Sequence, residues 1–116
     1  MPTQTDAITA ALTRAHASYE SARRHLIERI GLGDDHRSLA DALVNLAERE
    51  GAYHAWENIA QVFPSLDGDR VPRYLLMLAT AHPDDTYSGR TNDARRAYAD
   101  GKRSAVQDAR GLLNLT

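Results

Sequence analysis

The chain contains no cysteine, which excludes disulfides, thiolate metal sites and a cysteine nucleophile together. Lysine is nearly missing too: Lys102 is the single one among 14 basic residues. Aromatic residues make up only 6% of the chain, too few for a platform on which unpaired bases could stack. No apolar run approaches the roughly 20 residues needed to cross a bilayer. The opening "MPTQTDAITAALTR" lacks the basic start and unbroken apolar stretch of a secretory leader. A cytoplasmic protein without membrane contact is the resulting expectation. The G-x-x-x-x-G-K-[ST] and G-x-G-x-x-G phosphate loops and the Gly-x-Ser-x-Gly elbow of serine hydrolases do not occur.

What is present reads as one globular domain spanning residues 1–116. Hydrophobic residues are 42% and charged residues 26%, an ordinary mixture for a folded chain of this length. The net charge of −2 favours neither nucleic acid nor a membrane surface, but it is unevenly spread. Residues 1–89 carry eight arginines against 13 acids, whereas residues 90–116 carry six basic residues against three acids. The C-terminal quarter is thus a local cation on an acidic body.

The apolar pattern is helical nearly throughout. Ile8, Leu12, Ala15, Tyr19, Ala22, Leu26 and Ile30 recur at steps of three and four, with Thr3 and Asp6 at capping-box spacing before them. Gly31 and Gly33 close this long first helix, whose alanine-rich seam suits close approach of a second helix, including one from another copy. A second helix starts near residues 34–38, with Ser38 and Asp41 as a capping pair and Leu39, Leu43, Leu46 and Ala47 inward. Gly51 reads as a bend or a tolerated interior glycine, and Pro64 ends the apolar face of Tyr53, Trp56, Ile59, Ala60 and Phe63. "VPRYLLMLATA" is apolar all round, the pattern of a buried element; its Leu, Met and Ala content favours helix over strand. A last helix begins at Thr91 or Asn92. Ala94, Tyr98, Gly101, Ala105, Ala109 and Leu112 face inward, Arg95, Arg96, Lys102 and Arg103 point elsewhere, and Arg96 can pair with Asp100. The expected fold is an all-α, single-domain bundle of four to five helices, with a long N-terminal and a basic C-terminal helix.

The most suggestive motif is "AHPDD". It resembles the zinc-binding opening of the LmbE-like deacetylases, which remove acetyl groups from amino sugars. That resemblance implies metal ligands at His82 and Asp85, a base at Asp84, a further histidine downstream and a parallel sheet. Here His82 is the last histidine in the chain, and catalytic zinc wants three protein ligands. Pro83 at a helix exit followed by a solvated Asp-Asp accounts for the same residues. Read as a calcium loop from Asp84, the segment has Arg95 where a bidentate glutamate belongs. His54 follows Glu50 by one helical turn, and His25 precedes Glu28; surface ion partners are the simpler reading of both. "LAEREGAYHAWENIAQ" has the glycine spacing of a helix-turn-helix. It places Glu50 and Glu57 where apolar residues belong, in an acidic segment of the wrong sign for DNA. No metal or other cofactor is expected.

The remaining feature is "HPDDTYSGRTNDARR", richer in polar chemistry than a connector of about 4–6 residues requires. Its residues His82, Asp84, Asp85, Tyr87, Ser88, Arg90, Asn92, Asp93, Arg95 and Arg96 form the expected binding surface. Arg90, Arg95 and Arg96 stand at the positive end of the last helix, where an anion or a partner's carboxylate would be held. Alternatively Asp84, Asp85 and Asp93 fold back onto those arginines as an internal network, the commoner fate of charged loop runs. The expectation is a non-enzymatic helical interaction protein with an unknown protein partner, self-associating through the first helix. Two other readings stay open: nucleic-acid or phosphate-ligand binding by the basic C-terminal helix and the loop before it, and a small enzyme using the His82–Arg96 segment.

Overall fold

Residues 3–33, 35–80 and 92–114 are described in a computed structural model of the chain. They form four α-helices, α1 (Gln4–Gly31), α2 (His36–Val62), α3 (Val71–Thr80) and α4 (Asn92–Leu112). Two short 3-10 turns, Phe63–Ser65 and Gly68–Arg70, link α2 to α3. Among the described residues there is no strand.

The helix ends follow from local chemistry. Thr3 accepts the amide of Asp6 on its hydroxyl, and the Asp6 carboxylate accepts the amide of Thr3, so α1 opens with the expected capping box. At α1's other end Gly33 takes φ +70°, a left-handed conformation that reverses the chain at little cost to glycine. The cap of α2 is not the expected Ser38–Asp41 pair. Asp35 serves instead, accepting the Ser38 amide at 2.8 Å, which draws its carboxyl below the ordinary value. Pro64 stops α2 in a 3-10 turn, and Pro72 sits in the first turn of α3, where its missing N–H costs nothing.

The helices run up, down, up and down. Gln4, Phe63, Val71 and Leu113 meet around one cleft of about 240 Å³, bringing the starts of α1 and α3 to the same pole as the ends of α2 and α4. The main core lies toward this pole, where Ile8 and Ala11 meet Trp56 and Ile59, Leu75 and Leu78, and Val106, Ala109 and Leu113. A smaller cluster of Ala47, Ala94, Ala97 and Tyr98 joins α2 to α4 nearer the other end. α2 is the central helix, packed against α1 on one side and α4 on another, while α3 lies mainly on α4. At 50 × 30 × 21 Å the molecule is elongated, consistent with α1 and α2 being its longest helices.

Gly51 does not bend α2, which passes through it unbroken, so no helix-turn-helix forms there. Its role is contact. A Cβ at Gly51 would stand 2.1 Å from the carbonyl oxygen of Tyr98, and one at Gly101 would stand 1.9 Å from that of Glu48. Glycine on each helix therefore lets α2 and α4 touch backbone to backbone, flanked by the alanines of both core clusters.

Several expected orientations are overturned. Lys102 does not point to solvent: it is 7% exposed and engaged within the structure, its long methylene stem suiting it to partial burial. Leu43, assigned to the inner face of α2, is exposed and Ala42 is buried instead, while Ala47 is buried as expected. The 71–80 helix is not buried all round, since Leu76 and Met77 face out beside buried Leu75 and Leu78. Leu113 is buried where Leu112, only half-buried, was expected. Asp100 bonds Arg103 at 2.5 Å, one turn toward the C-terminus, whereas Arg96 was its expected partner.

Candidate functional site

Of the residues assigned to the binding surface, His82, Asp84, Asp85, Tyr87, Ser88 and Arg90 lie outside the described residues, as does the cap at Thr91. Asn92 opens α4, and Asp93, Arg95 and Arg96 stand exposed on its first turns. Whether the three arginines pair with Asp84 and Asp85 is likewise a matter outside the described residues. Further along α4, the burial of Lys102 and the Arg103–Asp100 pair reduce the exposed, uncommitted positive charge that the helix offers.

The helix pair α1–α2 shows two surfaces that the sequence pattern did not separate. One is apolar. Ile27, Ile30 and Leu32 at the end of α1 are 56%, 59% and 78% exposed, and Leu43 on α2 is 42% exposed. Helical register and the antiparallel pairing of α1 with α2 set Ile27 and Ile30 on the same flank as Leu39 and Leu43.

The other flank is a polar groove. Ser18, Ser21, His25 and Arg29 line it from α1, and Ser38, Asp41, Asn45 and Arg49 from α2. Each helix contributes its polar groups at steps of three and four, with one alanine in each stripe, Ala22 and Ala42, both buried. The groove comprises adjoining cavities of about 350 and 250 Å³ that share His25 and Asn45. Arg49 spans the gap, donating to the Ser18 hydroxyl and, through Nε, to Asn45 at 3.5 Å. At the other end Arg29 donates from Nε to His25 Nε2 at 3.4 Å, so that nitrogen acts as an acceptor.

Between α1, α2 and α4 runs a chain of aromatic and titratable groups. Tyr19 stacks on Tyr53 at 5.5 Å between centroids, and His16 meets the same Tyr53 ring. His54 Nε2 lies 3.8 Å from the Glu50 carboxylate, the pairing expected from their spacing, and Nδ1 lies 2.9 Å from the buried Tyr98 hydroxyl. The Glu50 carboxylate only accepts, whereas the roles of His54 Nδ1 and the Tyr98 hydroxyl follow the tautomer of the ring. Burial raises the Tyr19 hydroxyl above the usual phenol range, helped by the Glu50 charge. Burial also raises Tyr53, with the hydrogen bond its hydroxyl donates to the Glu57 carboxylate adding to it. Both phenols therefore stay protonated at neutral pH and serve as packing and hydrogen-bonding groups. Among the described residues, no three His, Asp or Glu side chains converge as metal ligands would.

No protein-family model matches the chain, and no curated protein or solved structure is found to resemble it. Among the described residues, no helix is long and apolar enough to cross a membrane.

Proposed function

We propose that the protein is a non-enzymatic helical interaction module that self-associates through the apolar flank of the α1–α2 hairpin. One observation carries this reading: of the six exposed large hydrophobic side chains among the described residues, four, Ile27, Ile30, Leu32 and Leu43, lie toward the turn of this hairpin. The alanine seam of α1 that sequence alone offered as a dimer surface is in part taken up internally, since Ala11, Ala22 and Leu26 are buried. The self-association surface therefore shifts to the neighbouring flank of the same helix.

The magnitude suits a reversible contact. Fully burying an Ile or Leu side chain contributes about 1.5–3 kcal/mol, and roughly half of that is still available here at each position. Two copies meeting on these side chains would gain on the order of 8–10 kcal/mol before association entropy, which takes back at least about 4. The remainder, on the order of 4–6 kcal/mol, corresponds to a dimer that dissociates in the range from some tens of micromolar to about 1 mM.

Light scattering coupled to gel filtration tests it across a concentration series. The expected result is a mass that rises toward twice 12.8 kDa and returns to the monomer value in the Ile27→Glu, Ile30→Glu double variant. A clean monomer for the unmodified chain at a concentration of a few millimolar refutes self-association. The Asp93, Arg95 and Arg96 face of α4 is retained as the place for an unlike protein partner, in keeping with its exposure.

A further inference from the structure

We infer that the polar groove between α1 and α2 is a binding site for a small phosphorylated polyol, with the phosphate held at its Arg49 end. This site is independent of the self-association flank: Ile27 follows His25 by two residues, which turns it to the far side of α1.

The margin of the α1–α2 seam has an unusual composition. Where two long helices pack side by side, the positions next to the seam ordinarily finish the apolar contact. Here they are serine, histidine, asparagine, aspartate and arginine on both helices, over a floor of two alanines that leaves room above it. Most of these polar side chains are exposed to solvent, so they line the space without closing it.

The two cavities differ in chemistry. The 250 Å³ cavity is lined by Ser18, Ser21, Ala22, His25, Asn45 and Arg49, and none of these is acidic. It offers two hydroxyls, an amide, an imidazole and a guanidinium, a set that can donate to every oxygen of a phosphate. A guanidinium has five N–H donors, and the bonds to Ser18 and Asn45 engage two of Arg49's three nitrogens. Those same bonds hold the group in place over the gap, so little side-chain freedom is lost when an anion arrives.

The adjoining 350 Å³ cavity adds Arg29, Ser38 and Asp41 to the shared His25 and Asn45, and Arg29 is already engaged there, donating to His25. A carboxylate there would repel a second phosphate but accepts hydroxyl protons well. Phosphate at one end and hydroxyls at the other describe a sugar phosphate or similar polyol. No phenylalanine, tyrosine or tryptophan lines either cavity, which argues against a nucleobase as the remaining part.

The test is a titration of the full chain followed by amide chemical shifts, at constant ionic strength, with inorganic phosphate, ribose 5-phosphate and ribose as probes. Inorganic phosphate should give saturable shifts centred on Ser18 to His25 and Asn45 to Arg49. Ribose 5-phosphate should bind more tightly and extend them to Ser38 and Asp41, and ribose alone should do little. Arg49→Gln should weaken both phosphate probes by about 10- to 100-fold, the loss expected of one charged hydrogen-bonding partner. Ser21→Ala provides a milder variant in the same cavity, and Asp41→Asn should weaken ribose 5-phosphate while sparing inorganic phosphate. Shifts that grow linearly without saturating, that centre on Arg95 and Arg96, or that persist unchanged in folded Arg49→Gln would overturn the site. Equal affinity for phosphate and ribose 5-phosphate would overturn the polyol assignment.

Discussion

Replacing Gly101 with alanine should unfold much of what the same change elsewhere in α4 would strengthen. Glycine in a helix interior costs about 0.5–1 kcal/mol relative to alanine, so propensity alone predicts a gain at any helical glycine. At Gly111, where a Cβ would meet nothing within 4 Å, that gain should be realised. For a chain of this size it corresponds to a rise of roughly 2–6 °C in thermal midpoint. At Gly101 the new methyl would stand 1.9 Å from the Glu48 carbonyl oxygen, some 1.5 Å inside ordinary contact as a rough figure. The obstacle is backbone on a continuous helix, so no rotamer change relieves it. α4 must move away from α2, loosening Ala47, Ala97 and Tyr98 and the α2–α4 part of the main core. Overpacking that forces backbone shifts costs about 1–3 kcal/mol, and lost core contacts add to it, so a total of about 3–5 kcal/mol is expected. That is a large share of a typical stability of about 5–15 kcal/mol. Urea unfolding followed by circular dichroism measures both variants against the unmodified chain. Gly51→Ala should behave like Gly101→Ala, and the double variant should cost less than the sum, because one separation relieves both clashes. If Gly101→Ala proves as stable as Gly111→Ala, α2 and α4 do not meet through glycine and the reasoning fails.

Other outcomes follow from burial and capping. Leu75→Ala should cost about 2–5 kcal/mol in urea unfolding, because Leu75 is 1% exposed, whereas Leu76→Ala next to it, at 57%, should stay within about 1 kcal/mol. Asp35 is depressed in the folded chain by the Ser38 amide it accepts, so its contribution is present above the ordinary carboxylate value of 3.8 and is lost as pH falls through its lower folded value. Asp35→Asn should keep the cap while flattening this acid-limb loss in thermal melts, and Asp35→Ala should lower the midpoint at neutral pH as well. A steeper acid limb in Asp35→Asn would contradict that assignment.

How much of this was legible in the sequence depends on how local the cause is. The Thr3–Asp6 box, the stop at Pro64 and the start at Pro72 act within one helical turn, and each appears where the residues place it. The stripe of α1 was legible as far as Leu26, since Ile8, Ala22 and Leu26 are buried at the expected steps, but Ile30, its last member, is exposed. Gly51 was ambiguous because propensity sees only its cost, and its benefit exists only when Gly101, fifty residues later, arrives opposite. Lys102 was assigned to the surface by its charge, although it stands next to Gly101 at the tight crossing and its stem is apolar. Leu76 and Met77 face outward because α3 is covered mainly on the side that meets α4. A run apolar all round carries no signal of which side that is. The groove escaped notice for a similar reason. Its residues are unremarkable along either helix, and only the pairing of Ser18 with Arg49 sets the two stripes against each other.

The glycine crossing also restricts how the helices may be aligned. Sliding α4 along α2 by one position would present Asp100 or Lys102 to the Glu48 carbonyl in place of bare backbone. Large interlocking side chains usually enforce register, and this bundle has few of them. Two hydrogens in place of methyl groups act as a notch that admits a single setting, so a chain rich in interchangeable alanines still closes in one way.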